Sequence, residues 1–261
     1  MAATLPLILL PPSEGKALGG TGGPWTPRSM AIDLDDQRRK VIAALATAMR
    51  GTEAERAKLL GVTGRSLADA SAADRRVTKS PTLPAIERYT GVLYDALDHR
   101  SLTPAERQRL AKCVVIVSGL WGAVVPADPV PTYRLKMSAS LPKLGKLSNW
   151  WREPLTDALT GLARGRPIWN LLPKEHDAAW APPAARDQYV VRFLDRRPDG
   201  SLVAVSHDNK LLKGALVRHL VARPDATPSD LARWKHPGGY RYSARASERD
   251  GATTVVAMVG R

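Results

Sequence analysis

Short apolar or alternating runs recur along the chain at residues 5–10, 113–118, 167–172, 189–194, 202–206 and 253–259. Runs of this length bounded by Gly, Pro and Asp read as strands. Between them, residues 36–49, 53–60, 84–97, 104–112 and 210–221 place apolar side chains at helical spacing. Several of these helices carry start signals: Thr103-Pro104, Asp208, and Ser229 ahead of Asp230-Leu231. The runs at 189–194 and 202–206 bracket Arg196-Arg197-Pro198-Asp199-Gly200, which predicts a hairpin and an antiparallel part of the sheet.

No repeat and no dividing linker interrupts this alternation. It predicts an α/β (α+β) fold: one compact domain over residues 1–261, with a mixed sheet surrounded by helices and a small helical lobe at 35–80. Residues 19–27, rich in Gly and Pro, are expected to form a mobile, lid-like loop. The apolar stretch at 5–10 is broken by Pro6, ends at Pro11-Pro12 and lacks a positive leader. It is far below the ~20 apolar residues of a spanning helix, so no membrane partner is expected.

Composition adds one strong bias. The chain has 39 Lys plus Arg against 25 Asp plus Glu, a formal net charge of +14. Most of the excess lies beyond residue 100, most densely in residues 129–152, where Arg134, Lys136, Lys143, Lys146 and Arg152 occur with no acidic residue. Such a balance points to polyanionic partners. The lone Cys113 excludes an intramolecular disulfide and a multi-cysteine zinc site, and its apolar surroundings suit a reduced, cytoplasmic protein.

Five segments concentrate chemistry. Leu10-Pro11-Pro12-Ser13-Glu14-Gly15-Lys16 crowds a hydroxyl, a carboxylate and an amine at a strand end, though without Walker A spacing. Its plainer reading is a polar turn capped by Ser13. Gly61-Val62-Thr63-Gly64-Arg65 joins two helices in the pattern of a helix-hairpin-helix, whose glycines let backbone amides approach phosphate and whose Arg65 adds charge. An ordinary glycine-capped turn has the same pattern. Ser118-Gly119-Leu120-Trp121-Gly122, followed by Thr132-Tyr133-Arg134-Leu135-Lys136-Met137, offers Tyr133 for stacking on a base and Arg134 and Lys136 for phosphate. Trp121 packed in the core is the alternative. Asn170-Leu171-Leu172-Pro173-Lys174-Glu175-His176 groups acid, base and amine after another strand, or forms a surface ion pair. Asp208-Asn209-Lys210-Leu211-Leu212-Lys213, with Arg218, makes either a cationic helix start or a solvated face.

Together these segments resemble the YaaA family, also called DUF328 or UPF0246, of peroxide stress resistance proteins. The carrying strings are Pro12-Ser13-Glu14-Gly15-Lys16, Tyr89-Thr90-Gly91, Ser118-Gly119-Leu120-Trp121-Gly122, Pro131 to Met137, Asn170-Leu171 with Glu175, and Lys210 with Lys213-Gly214. The resemblance implies a cytoplasmic single-domain α/β protein that binds DNA through a basic cleft and a helix-hairpin-helix-like element and limits oxidative DNA damage.

Two functions follow as expectations. A DNA-binding protein would use Gly61, Gly64, Arg65, Arg134, Lys136, Lys174, Lys210, Lys213 and Arg218, with binding that is independent of sequence and falls steeply with salt. An enzyme acting on a nucleotide, nucleobase or nucleic acid would use Glu14, Lys16, Tyr133 and Glu175. DNA binding alone has no need of Glu14 and Glu175, which repel phosphate. No cofactor is expected, and no stable metal site: the histidines are scattered, and only His176 with Glu175 and His207 with Asp208 form pairs that folding would have to unite.

Overall fold

The computed structural model describes residues 4–184, 187–205 and 209–260. In chain order the elements begin with β1 (Leu7–Leu10), α1 (Asp35–Ala48), α2 (Glu53–Leu60), α3 (Gly64–Arg75), β2 (Thr82–Pro84), α4 (Ala85–Arg88) and α5 (Val92–Leu97). There follow α6 (Pro104–Cys113), β3 (Val114–Ser118), β4 (Gly122–Val124), β5 (Pro129–Pro131), β6 (Ser140–Leu141), β7 (Gly145–Lys146), α7 (Leu147–Trp150) and α8 (Arg152–Leu162). The chain closes with β8 (Ile168–Asn170), α9 (Lys174–Asp177), β9 (Gln188–Arg196), β10 (Leu202–Ala204), α10 (Asn209–Ala222), β11 (Arg241–Tyr242), β12 (Glu248–Asp250) and β13 (Thr253–Val259).

The main sheet has the order β11-β13-β9-β8-β1-β3-β4, with β10 paired to β9 and β12 to β13. Its middle is parallel: β8, β1 and β3 run side by side, with Ile8 opposite both Val114 and Trp169. Every residue of β1 and β3 is buried, as expected of strands covered on both faces. The expected hairpin is present, Leu202 facing Arg196 in antiparallel register. Helices pack around this sheet in one α/β domain, as expected.

Three expectations are corrected. The predicted helix over 84–97 is broken into α4 and α5: Gly91 takes φ +97°, and Tyr89-Thr90 turns out to meet the 15–17 segment, with Thr90 N donating to Gly15 O at 3.2 Å. Cys113 ends α6 rather than opening β3, and is free and buried. The 19–27 loop is anchored, not lid-like. Trp25 is buried against Trp121 with ring centroids 5.4 Å apart, Gly22 bridges Thr82, and the buried Arg88 donates to Ala17 O and to Gly19 O. Thr103 caps α6 in a full capping box, as its start signal predicts. The start near Ser229 is a short 3-10 turn, Pro228–Ala232, capped by Thr227. The expected cap Asp208, and with it His207 and Ser206, lies outside the described residues.

Candidate functional site

Because β8, β1 and β3 are parallel neighbours, the segments after their C-terminal ends emerge together, the usual position of a ligand site in such sheets. A cavity of about 230 Å³ opens there, and its walls include Glu14, Lys16, Tyr133, Glu175, Lys210 and Lys213. Glu14 and Lys213, from opposite ends of the chain, thus share one wall.

The 132–137 segment is fixed against β3. A Cβ on Gly119 would lie 2.8 Å from the Lys136 carbonyl carbon and 2.9 Å from Met137 N, so only glycine lets the two backbones touch. The Tyr133 hydroxyl shares hydrogen bonds with Ser118 Oγ at 2.7 Å and Tyr89 Oη at 2.8 Å. Tyr133 is 3% exposed and meets Trp121 edge to face, which corrects the expectation that it stacks on a base. Burial pushes its phenol up to about 12. Trp121 itself is core, the plainer of its two readings.

At the mouth, Glu14 is clamped. Its Oε2 accepts from Arg134 Nη2 at 2.9 Å and its Oε1 lies 3.2 Å from Lys136 Nζ. Partial burial works against ionisation, but Lys136 and then Arg134 outweigh it and hold the carboxyl below its usual range. Arg134 also donates from Nε to Leu60 O at 3.0 Å, the last residue of α2. A Cβ on Gly61 would come within 3.3 Å of Lys136 Nζ. The α2–α3 hairpin therefore abuts the cavity mouth. Gly61 and Gly64 both adopt positive φ, +64° and +55°.

Lys16 lies deeper. Its Nζ donates to Ser13 O at 2.9 Å and sits 4.2 Å from the centroid of the Tyr133 ring. Burial pushes the amine down to about 7; Asp74 and Glu14 oppose the shift, while Arg134 and Arg88 add to it. Asp74, on α3, is 2% exposed. Its Oδ1 accepts from Arg134 N at 2.8 Å, and its buried Oδ2 has no hydrogen-bond partner. Burial pushes this carboxyl up to about 7, against the hydrogen bond from Arg134 N and the charge of Lys16.

On the far wall, Lys213 is 8% exposed and donates to Leu171 O at 2.8 Å. Burial lowers its amine to about 8, opposed by Asp177. His176 is buried with Nδ1 3.6 Å from Glu175 Oε1 and is pushed down to about 4 by burial, so its imidazole is neutral. Lys210 is exposed at the start of α10.

The structure brings together Glu14, Lys16, Tyr133, Arg134, Lys136, Glu175, Lys210 and Lys213, with Gly61 at the margin. It does not bring in the others. Arg65 is almost fully exposed, 4.0 Å from Asp69. Arg218 donates to Leu97 O and Ser101 Oγ beyond α5. Lys174 is exposed outside the cavity walls. Among the described residues no three His, Cys, Asp or Glu side chains are grouped to hold a metal ion.

Sequence reasoning missed Asp74 and gave Tyr89 no role. The signal for Asp74 was present: Leu67, Ala70, Ser71 and Asp74 form the inward stripe of α3, and a carboxylate in such a stripe is buried against a purpose.

Fold and site thus define a single α/β domain with a cation-lined cavity at its parallel strand ends. The chain belongs to the family of the peroxide stress protein YaaA, whose model matches residues 7–246. It is 38% identical over 251 residues to a UPF0246 protein of Streptomyces coelicolor, covering 94% of this chain and 95% of that one. A UPF0246 protein of Corynebacterium efficiens is 34% identical over 257 residues, covering 96% of this chain and all of its own. Among the described residues no helix is long and apolar enough to cross a membrane.

Proposed function

We propose that this protein binds DNA during peroxide stress in the cytoplasm and limits its oxidative damage. The duplex lies across the cavity mouth and the α2–α3 hairpin, and a single displaced sugar or base enters the cavity. The observation that carries the reading is the convergence of Arg134, Lys136, Lys210 and Lys213 on one concavity beside a glycine hairpin. The cavity, about 230 Å³, is below the ~300–1,000 Å³ of drug-sized ligand sites, which suits one nucleotide moiety rather than a helix. The free, buried Cys113 supports a reducing compartment.

The test is anisotropy of a short labelled duplex over a salt series. Lys136→Ala with Lys210→Ala removes two cations that are not part of the core. Each lost phosphate contact lowers the slope of log K against log salt by ~0.9, so a fall of up to ~2 is expected. Unchanged affinity and slope in the folded double variant would overturn this placement of the DNA.

A second reading, an enzyme on the same ligand class, is favoured by one observation. Lys16 and Asp74 are held near neutrality behind the cations, where phosphate binding has no use for them.

A further inference from the structure

We propose that Lys16 is an imine-forming amine that captures a phosphorylated aldehyde, the open-chain deoxyribose of a baseless nucleotide in DNA. The inference rests on the nucleic-acid reading above for the source of the aldehyde.

Capture of a carbonyl needs an amine that is reachable, unpaired and often neutral, next to a site for the flanking phosphate. Lys16 meets each condition. It lines the cavity. Its hydrogen bonds go to backbone carbonyls, Ser13 at 2.9 Å and Glu14 at 3.5 Å, and no carboxylate among the described residues lies within 4.0 Å of Nζ. The other lysines of the cavity differ. Lys136 is paired with Glu14, Lys210 is exposed, and Lys213 is buried at 8% exposure where Lys16 is only half-buried. The groups that face Lys16 are the Tyr133 and Tyr89 rings and the charges of Asp74, Glu14, Arg134 and Arg88. They leave its amine about half deprotonated near pH 7. Asp74, whose buried Oδ2 has no hydrogen-bond partner, acts on that amine through its charge.

The chemistry balances without an oxidant. Neutral Nζ attacks the aldehyde carbon, the carbinolamine forms, and its C–O bond breaks with loss of water to give the imine. A proton then leaves the adjacent carbon for Glu175, whose carboxylate is tied to no arginine or lysine among the described residues. The electron pair forms a carbon–carbon double bond as the next C–O bond breaks, and the 3′ phosphate departs with its electrons. Water hydrolyses the imine and frees Lys16.

The test incubates the full chain with a duplex holding one abasic site, or with free 2-deoxyribose 5-phosphate, in sodium borohydride. Adducts are mapped by mass spectrometry, and duplex binding is measured in parallel. The expected result is a reduced adduct on Lys16 in the duplex, absent in Lys16→Met. Lys16→Arg, which holds a full positive charge but no nucleophilic amine, is expected to bind the duplex and form no adduct. Trapping is expected to rise about tenfold between about pH 6 and about pH 8, following an amine near 7. Duplex bound without any adduct would overturn the inference and leave the DNA reading standing. So would an adduct on Lys213, or one undiminished in Lys16→Met. No duplex binding at low salt, with the adduct on Lys16 formed by the free sugar phosphate, would overturn the DNA reading and make that sugar the source.

Discussion

Glu14 and Arg134, 120 residues apart in the chain, meet at 2.9 Å across the mouth of the cavity. On the proposed DNA reading, the carboxylate occupies the place of an incoming phosphate, since Lys136 closes on its other oxygen. An internal anion on a cationic site weakens binding of an external one and suppresses adventitious anions. Glu14→Gln keeps the shape and removes the charge. It is expected to tighten duplex binding by roughly fivefold, about the 1 kcal/mol of an exposed ion pair, read by anisotropy at constant salt. A variant that binds no better would mean that the ligand does not compete for Arg134 and Lys136.

Arg38 sets the stability of the frame behind the site. It is wholly buried on α1, donating from Nε to Trp121 O at 3.0 Å and from Nη2 to Ala123 O at 2.9 Å, with Nη1 3.1 Å from Asp35. It thereby ties α1 to the β3–β4 turn. Arg38→Met strands two carbonyls and leaves the buried Asp35 without its cation, held by Arg28 N alone. Loss of one partner of a buried pair costs about 3–5 kcal/mol. Urea denaturation should show a lower midpoint at unchanged slope; a loss under about 1 kcal/mol would mean that water replaces the guanidinium.

Gly119 controls the position of the cations. Its Cβ position lies 2.8–2.9 Å from backbone atoms of Lys136 and Met137, which cannot swing aside as a side chain would. Gly119→Ala is expected to cost about 1–3 kcal/mol by overpacking and to weaken duplex binding, because Lys136 moves from its place beside Glu14 and Gly61. Thermal denaturation and anisotropy on the same preparation separate the two effects. Lowered stability with unchanged binding would show that the 132–137 segment does not carry the ligand.

The sheet was legible in the sequence because its central strands are short, buried and mostly apolar, and 253–259 matches β13 residue for residue. The turn at 196–200 likewise announced its hairpin. The two-residue strands β6, β7 and β11 were not legible, being too short to show a period. Nor was the break at Tyr89-Thr90-Gly91, where pairing with the 15–17 segment overrides a helical pattern. At the site, strand-end strings identified most of the cavity wall. Arg65 and Arg218 fell outside it because local charge does not reveal which face of a helix meets the sheet. The burial of Asp74 was legible in the inward stripe of α3, but not its partner, Arg134 N, a backbone group 60 residues away that no side-chain pattern encodes.

Asp74 gives the sharpest test of the proton balance. Its folded pKa, about 7, lies above the ordinary 3.8, so folding favours the protonated carboxyl. That contribution is complete below about pH 4 and is lost as pH rises through about 7. Lys16 runs the other way. Its amine is lowered from 10.5 to about 7, so the fold gains stability as pH rises between those values. Asp74→Asn keeps an oxygen for Arg134 N and removes only the titration. The variant should therefore match the parent near pH 4 and exceed it in melting temperature near pH 8, where the parent must bury a carboxylate. Losing that negative charge also takes away the largest influence raising the Lys16 amine. Its reaction with a carbonyl reagent should then shift to lower pH, by about one unit for a nearby buried charge. An Asp74→Asn difference in melting temperature that is the same at both pH values would show that Asp74 does not titrate there. An unmoved Lys16 profile would show that the two groups do not sense each other.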